Sequence, residues 1–196
     1  MDTRNELREF LTTANRAVGL SRFGSPEVLG VVTVPVAAPG PLDALVRVRA
    51  AAVNPSDTLL RTGRQAERLK GISPPFIPGV DLAGGIVALS NAVAGAGLHV
   101  GQAAAGVVRP WRPGSGAQAQ HVVVPASSLV PVPGNLSYAE AATVLMNGLT
   151  ALVALELLDL KPGSRLLVTG GARHNVTAAI RVRRDADTIG RWSFEV

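Results

Sequence analysis

The chain contains no cysteine in its 196 residues. Disulfide bonds and thiolate zinc sites are therefore excluded, and this composition is typical of a protein in a reducing compartment. Aromatic residues are also scarce, at 4 %, so a hydrophobic core has to be built mainly from aliphatic side chains. Because apolar residues still make up 47 % of the chain, a largely disordered protein is excluded as well.

Lysine is nearly absent, occurring only at Lys70 and Lys161, so almost all the positive charge behind the net charge of +5 is arginine. Apart from Arg181, Arg183 and Arg184, these arginines are scattered along the chain. A nucleic-acid-binding surface is expected to show a basic stripe interleaved with aromatic residues. The sequence shows no such stripe. The sequence therefore predicts no nucleic acid among the partners.

The chain shows neither a signal-peptide pattern nor a convincing membrane span. Residues 1–10 are rich in charged side chains, and the most apolar stretch, 141–160, is interrupted by an Asn-Gly pair and two acidic residues. A transmembrane helix needs about 20 predominantly apolar residues. We therefore expect a cytoplasmic protein that does not cross a membrane.

The stretch 44–53 alternates apolar residues with Arg47 and Arg49, the pattern of a half-buried strand. It ends in Asn54-Pro55-Ser56-Asp57, which would place polar side chains at the rim of an apolar sheet. Convergent polar groups at such a rim are typical of a ligand site. The alternative is an ordinary strand followed by a proline turn.

The first two thirds of the chain read as short strands between Gly- and Pro-rich turns. This pattern predicts a small barrel or sandwich. A short helix is predicted over 57–64, and residues 1–15 read as an appended amphipathic arm. The predicted strands span 17–23, 28–34, 45–53, 80–89, 99–108 and 120–124.

The periodicity becomes helical after Pro133-Gly134. Ser137 and Glu140 form a capping-box pattern that opens one helix, and a second helical stretch is predicted from Asn147 to Leu158. A compact apolar strand over 164–169 then leads into a glycine turn. Helix, tight turn, buried strand and glycine turn are typical of the start of a nucleotide-binding α/β unit.

Several motifs occur in one collinear order over about residues 16–172. In this order the chain resembles the medium-chain dehydrogenase/reductases, specifically their zinc-independent quinone oxidoreductase type. The motifs are Arg22-Phe23-Gly24-Ser25-Pro26-Glu27-Val28-Leu29, Ala51-Ala52-Val53-Asn54-Pro55-Ser56-Asp57, Pro78-Gly79-Val80-Asp81-Leu82-Ala83-Gly84, Val100-Gly101-Gln102, Ala141-Ala142-Thr143, Asn147-Gly148-Leu149-Thr150-Ala151 and Lys161-Pro162-Gly163.

The resemblance implies a mostly β fold with some α. After the arm at 1–15, a GroES-like, partly open β-barrel that forms the catalytic domain is expected over 16–133. Hinge helices and the truncated start of a Rossmann α/β domain are expected over 134–196. In this family a hydride passes from NADPH to a quinone or an activated alkene such as an enone. Members are often dimers, so a homodimer is one expected assembly.

The resemblance also implies where the cofactor binds. Asn54 matches the polar position near the nicotinamide, and Thr150 matches the hinge threonine that faces the cofactor from a helix start. Asn147 is a further cleft residue, and Gly170-Gly171-Ala172 matches the phosphate-binding turn. No catalytic side chain is nominated. Asn54 stands where zinc-dependent relatives place a ligand, so no metal is expected.

The chain departs from the family pattern after Gly171. Arg173 and Val176 occupy positions where the dinucleotide fingerprint requires glycine, and only 24 residues follow Ala172. We therefore expect NADPH binding and oxidoreductase activity to be impaired in this chain. The alternative is a non-catalytic, truncated GroES-like domain that binds no cofactor.

Overall fold

The computed structural model describes residues 14–90, 93, 97–112 and 115–161, together with the short strands at 183–184 and 192–193. Three 3-10 turns lie at Pro26–Val28, Ala66–Leu69 and Ala126–Ser128. The strands and α-helices are β1 (Asn15–Gly19), β2 (Gly30–Val34), β3 (Asp43–Ala51), α1 (Pro55–Arg61), β4 (Asp81–Leu89), β5 (Ala103–Val107), β6 (His121–Pro125), β7 (Leu129–Pro131), α2 (Tyr138–Leu158), β8 (Arg183–Arg184) and β9 (Trp192–Ser193).

Five antiparallel strands form the main sheet, in the order β6-β3-β4-β5-β7. The two edge strands, β6 and β7, are joined by the single turn Ala126–Ser128, which brings the edges of the curled sheet together. Register shifts in the β3–β4 ladder at Leu45/Val46 and Val48/Ala50 increase the curvature. The expected partly open barrel is thus confirmed.

Strand β3 shows why this sequence forms a sheet with a buried face. Val46 is buried and Val48 and Ala50 are half-buried, whereas Arg47 and Arg49 between them are exposed. The alternation therefore matches the predicted pattern. The inner face of β3 belongs to one core, to which the other strands of the main sheet and their connections also contribute. Its buried members are Ala44, Val46, Leu82, Ile86, Leu98, Ala104, Val108, Ala117, Val122, Val124, Ala126 and Leu129.

Helix α2 begins at Tyr138 and runs without a break to Leu158, so the prediction of two separate helical stretches was wrong. A glycine in a helix interior costs about 1 kcal/mol relative to alanine, which is too little for Gly148 to end a helix of Ala and Leu. Ala141 and Ala142 pack against Ala83 and Ala105 of the sheet and hold the first turns of α2 in place.

By length and composition alone, α2 is long and apolar enough to cross a membrane. A core helix of a soluble protein meets the same criterion. The packing of its first turns against the sheet accounts for the apolar residues there. The expectation of a cytoplasmic protein remains a prediction.

Other boundaries differ from the predictions in identifiable ways. Strand β7 was not predicted, because three residues that include Pro131 are too few to show alternation. At the far end of the chain, Arg183–Arg184 forms a short strand that pairs antiparallel with Trp192–Ser193. Of the arm predicted over 1–15, residues 1–13 lie outside the described residues, as does the strand predicted at 164–169. The end of the predicted arm was wrong, because Asn15 is the first residue of β1.

The chain divides into two compact units, residues 1–146 and residues 147–196. The boundary falls within α2, thirteen residues later than the predicted end of the GroES-like domain at residue 133. That domain division remains a prediction.

The capping box at the start of α2 is present. The Ser137 backbone N–H donates to Glu140 Oε2 at 2.8 Å, and the Glu140 N–H donates to Ser137 Oγ at 3.2 Å. Replacing Ser137 with Ala is expected to lower the free energy of unfolding by about 1 kcal/mol, as for other N-cap serines. Urea denaturation followed by circular dichroism measures this change. The exposed Ser21 provides the matched Ser21→Ala control, which we expect to change stability by less than about 0.5 kcal/mol.

Candidate functional site

The polar quartet after β3 forms the turn into α1. Asn54 is the N-cap, Pro55 occupies the first helical turn, and Asn54 and Asp57 form a capping box. The Asn54 backbone N–H donates to Asp57 Oδ2 at 2.7 Å. Proline suits this position because the first helical amides have no intrahelical partner. The turn thus directs Asn54 and Asp57 inward, and both are buried.

Asp57 also fixes the loop that leads into β4. Its Oδ1 accepts a hydrogen bond from the Gly79 backbone N–H at 2.8 Å. Gly79 has a φ of +100°, and a Cβ there would lie 2.8 Å from Ala117 Cβ. Glycine is therefore required at this position on two grounds, the left-handed backbone and the lack of space.

Asp81, the first residue of β4, is fully buried and links three segments of the chain. Its Oδ2 accepts from Asn54 Nδ2 at 2.8 Å, and its Oδ1 accepts from the Met146 backbone N–H at 2.9 Å. Asn54, Asp57, Gly79, Asp81 and Met146 thus form one buried network, which we call the Asp81 network. It connects the end of β3, the start of β4 and the middle of α2.

The two carboxylates of the Asp81 network are stabilised by four neutral N–H donors rather than by cations. Burial raises the pKa of Asp57, and the hydrogen bonds from Asn54 and Gly79 only partly offset this rise. Burial also raises the pKa of Asp81, and the nearby charge of Asp57 raises it further, against the hydrogen bonds from Asn54 and Met146. The network therefore holds two carboxyl groups with an increased tendency to bind protons.

The Asp81 network also orients the Asn54 amide. One hydrogen of its NH₂ group is donated to Asp81, which leaves the second as a donor of fixed direction. Asn54 retains 9 % of its surface exposed. A polar donor held by a buried partner at the end of a strand is suited to orienting a ligand with little loss of entropy.

The structure places the predicted site residues in different parts of the chain. Asn54 lies in the compact unit 1–146, whereas Asn147 and Thr150 lie one turn apart on α2 in the unit 147–196. Thr150 lies in the interior of α2 rather than at a helix start, and its side chain is exposed. Gly170, Gly171 and Ala172 lie outside the described residues. Their cofactor-binding roles remain predictions.

Asp81 and the Met146 amide were not predicted as parts of this site. The available signal was an aspartate directly before an apolar run in Pro78-Gly79-Val80-Asp81-Leu82, a place where a buried carboxylate needs partners. Among the described residues, no three His, Cys, Asp or Glu side chains lie close enough together to hold a metal ion. Zinc independence remains a prediction.

Comparison with known proteins gives the family. Residues 40–134 match the model of the alcohol dehydrogenase GroES-like domain. Prostaglandin reductase-3 of Bos taurus is 38 % identical over 167 residues, which cover 83 % of this chain and 41 % of that protein. The quinone oxidoreductase of Lama guanicoe is 31 % identical over 173 residues, covering 86 % of this chain and 49 % of that protein.

Solved structures agree with the sequence relatives. The quinone oxidoreductase from Coxiella burnetii superposes with a TM-score of 0.71 at 29 % identity, covering 77 % of this chain and 47 % of that chain. The human synaptic vesicle membrane protein VAT-1 homolog-like protein superposes with a TM-score of 0.68 at 28 % identity, covering 78 % of this chain and 46 % of that chain.

The five-stranded sheet and residues 54–81 of the Asp81 network lie within the part of the chain that matches the alcohol dehydrogenase GroES-like domain. The chain belongs to the medium-chain dehydrogenase/reductase superfamily and is quinone oxidoreductase-like within it. The resemblance predicted from the sequence motifs is thereby confirmed. The chain spans less than half the length of the curated relatives described above.

Proposed function

We propose that this chain contributes the GroES-like half of an NADPH-dependent oxidoreductase that reduces a quinone or an activated alkene. The observation that carries the proposal is the match to proteins named for such reductions, among them a prostaglandin reductase, a quinone oxidoreductase and a trans-enoyl reductase. One structural neighbour was solved as a complex with NADPH. Each of these names denotes an enzyme of oxidation and reduction.

The described residues fit one end of such a cofactor. NADPH supplies a hydride when it is bound, and its nicotinamide carries a carboxamide that accepts and donates hydrogen bonds. The second N–H of the Asn54 amide is the donor that would orient this group. Thr150 and Asn147 on α2, and Gly170-Gly171-Ala172, are the further residues proposed to hold the cofactor.

The proposal predicts that Thr150→Ala weakens NADPH binding about three- to tenfold, the effect of losing one neutral hydrogen bond. Fluorescence titration of the purified chain with NADPH measures the Kd, which we expect to be no weaker than about 1 mM. Thr143→Ala is the matched control, because Thr143 is also an exposed threonine on α2. This control is expected to leave the Kd unchanged.

The same titration discriminates the second candidate function, a GroES-like domain that binds no cofactor. One observation favours this alternative: Asn54 is mostly buried and already engaged by Asp81. Absence of an NADPH-dependent signal at millimolar concentrations would support the alternative and contradict the proposed function. Consumption of NADPH with a quinone added, followed by absorbance, then reports whether a chain that binds cofactor also turns over.

A further inference from the structure

A cavity lies beside the turn that joins the edge strands β6 and β7, and its described lining includes no residue of the Asp81 network. Its volume is about 390 Å³, and it is bordered by the start of β3, the ends of β5 and β6, and the turn Ala126–Ser128. Apolar walls and convergent polar groups together are typical of a small-molecule site. Its lining includes the arginines Arg109 and Arg112, together with serines and valines, among them Ser115, Ser127, Val107 and Val123.

The two arginines project from an anchored turn rather than from a loose loop. The Arg112 backbone N–H donates to the Arg109 carbonyl at 3.1 Å, which closes the turn. Between them, Pro110 is buried and Trp111 packs against the cluster of Leu20, Leu60 and Leu69. The Arg68 guanidinium lies 4.8 Å from the centre of the Trp111 ring, a cation–π contact on this anchor. The positions from which both guanidinium groups extend are thus fixed.

The positive charge of this cavity is not neutralised within the described part of the chain. Neither Arg109 nor Arg112 forms a salt bridge with a described residue, and the ion pair found in this part of the chain joins Lys70 to Glu67. The one carboxylate among the described lining residues is Asp43, and its Oδ2 accepts the Gly40 backbone N–H at 2.9 Å. Asp43 forms no ion pair with either arginine, so two exposed guanidinium groups and one carboxylate give the described lining a net charge of 2 − 1 = +1.

We propose that this cavity, named here the Arg109/Arg112 cavity, binds an organic phosphate monoester. The phosphate lies against the two guanidinium groups, whose planar forks match phosphate oxygens in geometry and charge. Hydroxyls of Ser115 and Ser127 supply further donors, and the organic part of the ligand packs against the apolar wall that includes Val107 and Val123. Its described lining shares no residue with the proposed cofactor site, so either proposal can fail without the other.

Isothermal titration calorimetry with phenyl phosphate tests this proposal on the full chain. We expect the double variant Arg109→Gln/Arg112→Gln to weaken binding by at least about tenfold, since it removes two charge-assisted contacts. Binding to the unchanged protein is expected to weaken as salt is raised. The Arg109→Lys/Arg112→Lys variant keeps the charge and loses the forked geometry, and an intermediate affinity is expected for it.

Two controls separate a built site from general positive charge. Arg22→Gln/Arg64→Gln removes two exposed arginines outside the described lining of the cavity and is expected to leave the affinity unchanged. An equal loss in this control and in the cavity variant would overturn the proposal. Equal affinity for phenyl phosphate and benzoate would overturn the assignment to a phosphate. Equal affinity for phenyl phosphate and benzyl alcohol would show that the apolar wall alone binds the ligand, which would also overturn the proposal. Inorganic phosphate, tested alone, reports whether the apolar wall contributes, and tighter binding of phenyl phosphate is expected.

Discussion

Replacing Asp81 with Ala is expected to lower the free energy of unfolding by about 2 to 6 kcal/mol at neutral pH. The change leaves the Asn54 side-chain amide and the Met146 backbone N–H buried without their acceptor, and each such donor costs about 1 to 3 kcal/mol. Domains are stable by only about 5 to 15 kcal/mol, so the loss is a large share of the total. Urea denaturation monitored by circular dichroism measures it.

Glu67→Ala is the matched control for this experiment. Glu67 is also a carboxylate, but its partner is the charged side chain of Lys70 and both side chains are exposed. Exposed ion pairs contribute about 0 to 1 kcal/mol, so this variant should remain near the stability of the unchanged protein. If Asp81→Ala proved as mild as Glu67→Ala, the Asp81 network would not be the structural centre described above.

The same network gives a pH dependence of known sign. The folded-state pKa values of Asp57 and Asp81 are raised, so the folded protein binds these protons more tightly than the unfolded chain does. Their contribution to stability is full below the unfolded pKa of about 4 and is lost as the pH rises through the raised folded values. Urea midpoints measured from pH 4 upward should show a smaller decline in Asp81→Asn, which has one titrating group fewer.

Replacing Gly84 with Ala is expected to destabilise the protein by about 3 kcal/mol or more. A Cβ at Gly84 would lie 2.1 Å from the Arg47 carbonyl oxygen, and that oxygen belongs to the backbone of the neighbouring strand β3. A flexible side chain would move aside, but a backbone carbonyl in a ladder cannot do so without breaking its pairing. Overpacking of this kind costs about 1 to 3 kcal/mol, and more where the backbone itself must shift.

The next residue supplies the matched control. A Cβ at Gly85 would meet nothing within 4 Å, although Gly85 lies in the same strand. Gly85→Ala is therefore expected to change stability by no more than about 1 kcal/mol. Thermal denaturation of both variants, side by side, isolates the steric effect from the general effect of glycine replacement. Equal losses in the two variants would contradict the steric explanation.

Much of the sheet was predictable from the sequence because alternation such as that from Val46 to Ala50 is a strong local signal. Strand β3 and its exit at Asn54 are in the predicted place. The direction of Asn54 was not predictable, since it depends on Asp81, 27 residues away, which no local pattern connects to it. The sequence predicted a polar rim at Asn54-Pro55-Ser56-Asp57, and in the structure two of these four residues, Asn54 and Asp57, are buried.

Helix α2 shows how a local sequence signal can predict a break that the structure lacks. The pair Asn147-Gly148 is a local turn signal, and it predicted a break that the structure does not contain. Packing of Ala141 and Ala142 against the sheet outweighs this weak preference, and packing partners are not visible in a single sequence. The cofactor turn at Gly170-Gly171-Ala172 was predictable only through resemblance, and it remains a prediction.

The spacing of the Asp81 network along the chain affects how long the folded protein lasts. Its bonds from Asn54 to Asp81 and from Met146 to Asp81 join residues 27 and 65 positions apart, so each requires a long loop to close. Since closing such loops costs entropy, we expect these contacts to form after the rate-limiting barrier, so that Asp81→Ala mainly raises the rate of unfolding. Asp81 is thus expected to have little effect on the rate at which the barrel folds and to lengthen the lifetime of the folded state.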